Sequence, residues 1–147
     1  MHTEAIELTG DTYRDALTEL GELAASRDYA DDAYTDALLA REEEYPTGLD
    51  VPPTDFAVAI PHTDPDHVDE AAVLVGLPVS PISFRRMDDP DEAIAVELVV
   101  LLLVTDTDGY ATFLGNLTTL FQDEEFARLT RERDGEGLCD LITDRCL

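Results

Sequence analysis

The chain contains no lysine and no tryptophan, and only two cysteines. Its nine basic residues, all arginine, face 34 aspartates and glutamates, for a formal net charge of −25. That imbalance excludes nucleic acid and anionic membrane as natural partners, because both repel a strongly acidic surface. No apolar run approaches the roughly 18 residues needed to span a bilayer. The longest is Leu98 to Val104, and the wider stretch Ala93 to Val104 is broken by Glu97. There is thus no sign of direct membrane insertion. The polar, acidic opening Met1-His2-Thr3-Glu4 is unlike a secretory signal, and a cytoplasmic protein is the default expectation. Cys139 and Cys146 are separated by six residues with no further ligand nearby, which does not make a zinc site. A disulfide is conceivable, but cytosol favours free thiols, and Cys139, between Leu138 and Leu141, reads as core. The three serines, Ser26, Ser80 and Ser83, lie in no nucleophile-elbow pattern. The eight glycines are scattered and form no phosphate-cradling loop, so direct nucleotide use is not expected.

What is present suits one compact domain spanning residues 1–147, with 44% hydrophobic residues to build its core. Glu4 to Leu8 reads as a short strand. Tyr13, Ala16, Leu17, Leu20, Leu23 and Ala24 recur at helical spacing, with Asp11 placed to cap. A second helix runs from about Asp31 to Glu43, with Ala33, Tyr34, Ala37 and Leu38 on one face, and ends at Pro46 and Gly48. Thr47 to Asp55, with two prolines and a glycine, reads as a loop. Apolar, β-rich runs follow at Phe56–Ile60, Ala71–Leu77 and Ala95–Val104, with a strand or hairpin edge at Ile82–Met87. Leu114, Leu117, Leu120 and Phe121 mark a helix. Phe126, Leu129, Leu138, Leu141 and Ile142 mark two more, separated at Gly135. The expected fold is α/β: a three-layer α/β/α arrangement with a mixed sheet, in the order strand, two helices, three or four strands, three helices.

Histidine is scarce, and His62 is the most informative of the three. It follows a hydrophobic strand and a proline, in Phe56-Ala57-Val58-Ala59-Ile60-Pro61-His62. A side chain there is held rigidly at a sheet end, where sites gather in open sheets covered on both faces, and Pro61 fixes the backbone before it. Local context alone is equally compatible with a structural or surface histidine. His62 and His67 could be tested as a metal pair, but a spacing of five across a proline matches no helical zinc pattern; no metal and no cofactor is expected. Arg41, near the end of the second helix, fits two readings. One is favourable interaction with the negative helix end and neighbouring glutamates. The other is a phosphate clamp, since the guanidinium fork matches phosphate oxygens. Arg85 and Arg86 are open to the same pair of readings.

Taken in order, Arg41-Glu42-Glu43-Glu44-Tyr45-Pro46-Thr47-Gly48-Leu49 and Phe56-Ala57-Val58-Ala59-Ile60-Pro61-His62-Thr63-Asp64 resemble the enzyme IIA domains of the fructose–mannitol class in the sugar phosphotransferase system. The wording is most similar to the galactitol-type branch, as is Pro81-Ile82-Ser83-Phe84-Arg85-Arg86-Met87. The resemblance extends from about Glu4 to Ile142. It implies a phosphocarrier whose His62 accepts a phosphoryl group from the histidine phosphocarrier protein, HPr, and passes it to an enzyme IIB component during sugar uptake. Arg41 would stabilise charge. Many members of the class carry a second histidine at the start of the helix after the last strand; register against Leu114 and Leu117 places Tyr110 there. Docking of two partners implies an exposed His62 ringed by an apolar, carboxylate-poor surface. Candidates are Tyr110, Phe113, and Phe84 beside Arg85 and Arg86. Phe56, Val58 and Ile60 share one strand face and could be docking residues or core.

Two other functional classes remain open on sequence alone: a regulatory phosphoprotein on the same fold, and a non-enzymatic binding domain of the kind found in anion exchangers. The charge bears on habitat, not on chemistry. A net −25 without lysine is strongly self-repelling in dilute buffer, whereas molar salt shortens the screening length to about 3 Å, and the simplest reading is a salt-in halophile. Thermal midpoints measured from low to molar KCl should rise, steeply at first as carboxylate repulsion is screened. Any later rise toward molar salt would reflect stronger burial of apolar surface. A midpoint independent of salt would refute the halophile reading and leave the chemistry untouched.

Overall fold

A computed structural model describes residues 1–51, 56–106 and 108–147. Strand β1, His2–Leu8, leads to helices α1, Tyr13–Ser26, and α2, Tyr34–Glu44. Five strands follow: β2, Gly48–Asp50; β3, Ala57–Ala59; β4, Ala72–Pro78; β5, Ile82–Arg85; and β6, Ala93–Leu103. Helices α3, Tyr110–Leu120, α4, Glu124–Arg131, and α5, Gly135–Cys146, complete the chain. The sheet runs β1-β4-β6-β3-β2, with β5 also paired to β6. β1 with β4 and β3 with β6 are parallel, while β4 with β6, β2 with β3 and β5 with β6 are antiparallel. The sheet is therefore mixed, as expected.

Both sheet faces are covered. Val58, Val73, Val75, Leu98, Val100 and Leu102 pack toward Leu117, Phe121, Phe126 and Leu138 of the last helices. Ala57, Ala59, Leu74, Val99 and Leu101 pack toward Leu17, Leu20, Tyr34 and Leu38 of α1 and α2. Alternate residues of one strand serve opposite cores because strand side chains have a period of two. β6 breaks that period once. Ala57 pairs with Val96 but Val58 with Leu98, so an extra residue, Glu97, is extruded to solvent. The bulge switches the face of each residue beyond it, which is why Val96 joins one core and Leu98 the other.

Three local details differ from the sequence expectation. Thr12, not Asp11, caps α1, its hydroxyl accepting from the Asp15 amide at 3.1 Å. The Thr47–Asp55 segment carries a three-residue strand, β2, formed by pairing with β3; its residues 52–55 lie outside the described residues. Phe84 is buried on the inward side of β5, which removes it from the surface.

The topology sets up the site. β3 and β6 are parallel neighbours, so the segments leaving their carboxyl ends emerge together. His62 follows the first and Tyr110 the second. β2 runs antiparallel to β3 with Gly48 opposite Ala59, which brings the end of α2 to the same edge.

Candidate phosphoryl-transfer site

The Ile60-Pro61-His62 segment continues beside β6, with the Leu102 amide donating to the Pro61 carbonyl at 3.0 Å. His62 is half-buried. Its Nδ1 lies 3.0 Å from the Ile60 carbonyl oxygen. A carbonyl only accepts, so Nδ1 carries the proton and Nε2 keeps its lone pair. The ring is therefore oriented with a nucleophilic nitrogen turned away from its anchor. The Tyr110 ring packs on it at 5.6 Å between centroids, tilted by 49°.

Arg41 occupies the last turn of α2. Its guanidinium stands 3.8 Å from the Asp64 carboxylate, two residues beyond His62, and 4.5 Å from the centroid of the Tyr45 ring. Asp64 is 78% exposed, and such a surface pair is worth at most about 1 kcal/mol. Arg41 is thus held near the His62 turn by a contact weak enough to be exchanged for another anion. Its charge also acts on the Tyr110 hydroxyl. His62, Arg41 and Tyr110 consequently belong to one neighbourhood, contributed by three separate segments.

His67 takes another direction: its Nδ1 is 3.0 Å from Asp31 Oδ2. Among the described residues no group of three or more His, Cys, Asp or Glu side chains is gathered to hold a metal ion. Arg86 is engaged by Asp50 and Asp88, and Arg85 donates to the Pro90 carbonyl. Phe56, Val58 and Ile60 belong to the core. Tyr110 and Phe113 line a cleft of about 370 Å³ with Leu102 and Val104, but Asp106 and Asp108 line it too. The cleft that Tyr110 lines thus carries carboxylates, and the exposed Asp64 stands two residues from His62, against the expectation of a carboxylate-poor surface.

Sequence reasoning named Glu42 only within the Arg41-Glu42 motif and gave it no role. It is 5% exposed in a chain whose carboxylates are mostly solvated. Its Oε2 accepts from the Thr47 amide at 2.8 Å and its Oε1 from the Thr47 hydroxyl at 2.7 Å. Thr47 in turn accepts from the Ile60 amide at 3.3 Å through its carbonyl oxygen. Ile60 is the residue whose carbonyl orients His62. A chain of hydrogen bonds thus connects the helix end bearing Arg41 to the imidazole. Gly48 follows because a Cβ there would lie 2.7 Å from the Arg85 carbonyl oxygen. The signal for Glu42 was present: Tyr34, Leu38 and Glu42 are spaced four apart and are the buried residues of α2. It was hidden in the run Glu42-Glu43-Glu44.

The model of the phosphoenolpyruvate-dependent sugar phosphotransferase system EIIA 2 family matches residues 1–144. The chain belongs to that family. The galactitol-specific EIIA component of Escherichia coli (strain K12) is 34% identical over 90 residues. That match covers 61% of this chain and 58% of the relative, so the chain spans less than two thirds of the curated relatives it matches. Solved EIIA structures share the fold. Enzyme IIA of the mannitol system from Escherichia coli, in complex with phosphorylated enzyme IIB, superposes with a TM-score of 0.74 at 20% identity, covering 97% of this chain and 94% of the other. The nitrogen regulatory protein IIA-Ntr from Neisseria meningitidis gives 0.72 at 22%, covering 95% and 92%. The α/β/α reading of the sequence is borne out by these EIIA neighbours. Among the described residues, no helix of this EIIA chain is long and apolar enough to cross a membrane.

Burial pushes the Glu42 carboxyl up to about 7, against the two bonds from Thr47 that favour its charged form. The folded state therefore holds a proton that the unfolded chain has already lost above about pH 4.5. Stability falls as pH rises through that window and levels off above about 7. The full loss is at most about 3 kcal/mol. Denaturant titrations of wild type and Glu42→Gln from pH 4.5 to 7.5 should show the wild type losing ground to the variant across this range. A pH-independent difference would mean that Glu42 is ionised throughout.

Proposed function

We propose that the chain is a cytoplasmic phosphocarrier of the sugar phosphotransferase system: a single enzyme IIA-type domain, 1–147, that receives a phosphoryl group on His62 Nε2 from HPr and passes it to an enzyme IIB component. The observation that carries this reading is the 3.0 Å hydrogen bond from His62 Nδ1 to the Ile60 carbonyl. It leaves one ring nitrogen free and stabilises the positive charge that the ring gains when that nitrogen attacks. The Nε2 lone pair forms the new N–P bond as the donor's N–P bond breaks, and the donor imidazole leaves with the electron pair. Transfer to the IIB nucleophile reverses the roles. His62 keeps its Nδ1 proton throughout. Such chemistry depends on positioning and on neutralising phosphoryl oxygens, and Arg41 supplies the nearby charge by releasing Asp64. No metal or nucleotide takes part.

The transport role is supported by the galactitol-specific relative at 34% identity. A regulatory role has IIA-Ntr beside it at 22%, a likeness that speaks to fold alone. The acidic surface fits a salt-rich cytosol.

The chain should be labelled from phosphoenolpyruvate in a reconstituted relay, and His62→Ala should abolish the label. Phosphorus NMR should place the phosphoryl group on Nε2. Undiminished labelling of the variant, label on His67, or a phosphoryl group on Nδ1 would each refute the assignment. Arg41→Lys keeps the charge but loses the fork, and should slow transfer roughly tenfold with the fold intact.

A further inference from the structure

Among the described residues, Tyr45 is the one aromatic side chain that the fold leaves exposed, at 54%. Its backbone, by contrast, is fixed on both sides. The Tyr45 amide donates to the Arg41 carbonyl at 2.7 Å and closes the last turn of α2. Two residues on, Thr47 is tied by its amide and its hydroxyl to the buried Glu42 carboxylate. Pro46, between them, has a restricted φ. The ring is therefore set down at one place on the surface, and that place is against the Arg41 guanidinium. The central carbon of the guanidinium lies over the ring, 4.5 Å from its centroid, within the roughly 6 Å over which a cation and a ring face attract.

A guanidinium offers two kinds of surface. Its flat face stacks on a ring, whereas its N–H donors point outward in the plane and match phosphate oxygens. The Tyr45 ring takes the face and leaves the donors free. Asp64 approaches a terminal nitrogen, Nη1, at 3.8 Å, beyond hydrogen-bond distance, and is itself 78% exposed. The two holds on Arg41 thus differ in kind. An arriving phosphoryl group competes with Asp64 for the donors but not with Tyr45 for the face. Arg86 shows the alternative: Asp50 and Asp88 engage it together, and its donors and charge are taken up. A ring holds a cation in place without neutralising it.

We propose that Tyr45 is a positioning residue for phosphoryl transfer, its ring keeping the Arg41 guanidinium turned toward the His62 segment when Asp64 is displaced. The inference rests on the phosphocarrier reading of the same site. In this role Tyr45 contacts neither the imidazole nor the phosphoryl group and acts through Arg41 alone. An arginine without the ring would regain side-chain freedom and would have to be ordered again at each transfer.

Tyr45→Leu removes the ring and keeps an apolar side chain at this exposed position. In the full phosphoenolpyruvate relay its transfer rate should fall roughly two- to fivefold, the loss that corresponds to one exposed cation–π contact, with the thermal midpoint little changed. Tyr45→Phe, which restores a ring face, should recover most of the rate. A double-mutant cycle with Arg41→Ala separates positioning from direct contact between Tyr45 and a partner protein. Added to Arg41→Ala, Tyr45→Leu should cost nothing more. An equal loss in both backgrounds would overturn the proposal, as would a wild-type rate in Tyr45→Leu alone. A second measurement needs no variant. In unphosphorylated wild type, the Arg41 δ-methylene protons should be shifted upfield by the ring and give NMR cross-peaks to the Tyr45 ring protons. Absence of those cross-peaks would overturn the proposal and leave the phosphocarrier reading standing, whereas a wild type that takes no label would overturn both.

Discussion

One buried carboxylate, Glu42, holds this site together through the two hydrogen bonds it accepts from Thr47. Removing a carboxylate from water is expensive, and the two bonds offset only part of the cost, so burial still pushes the carboxyl up to about 7. Here the oxygens accept from the backbone amide and the hydroxyl of the same residue, closing the turn between α2 and β2. Thr47 then holds Ile60, and Ile60 orients His62. Loosening the first pair would free the helix end that carries Arg41 and the strand end that carries the imidazole. A site assembled from three separate segments needs such a tie, because phosphoryl transfer tolerates little misplacement.

The charge of the chain is arranged around this constraint. Among the described residues, seven arginines are committed to ion pairs with surface carboxylates: Arg14, Arg27, Arg41, Arg86, Arg128, Arg133 and Arg145. Arg86 is gripped by two. Arg41 has one partner at 3.8 Å, itself largely exposed. That weak hold matters more than its strength would suggest. Nine arginines serve a molecule of net −25, and the one at position 41 is paired to a carboxylate two residues beyond His62.

The imidazole solves a related difficulty. If His62 carries the phosphoryl group as proposed, its anchored Nδ1 proton lets the ring accept positive charge without a proton being moved. The Tyr110 ring packs beside that imidazole, tilted by 49°.

Much of this was legible in the chain. The order of elements followed from periods of 2 and 3.6, which are local properties, and the Arg41, Thr47-Gly48 and Pro61-His62 steps marked the site. Glu97 was visible as an interruption in β6, although its consequence, a bulge that exchanges faces, was not. β2 was illegible because three residues become a strand only when β3 lies alongside. The alternation of Ile82 and Phe84 could have placed Phe84 inside, and the spacing of Tyr34, Leu38 and Glu42 could have done the same for Glu42. The sequence by itself determined the acidic surface, the layers and the Pro61-His62 motif at the strand end. Tertiary structure alone decided that the partner of buried Glu42 is Thr47, that Nδ1 of His62 is the anchored nitrogen, and that Tyr110 lies against its ring. The first two are short-range contacts, whereas the last depends on β3 and β6 becoming parallel neighbours across more than thirty intervening residues, and no local pattern encodes a pairing over that distance.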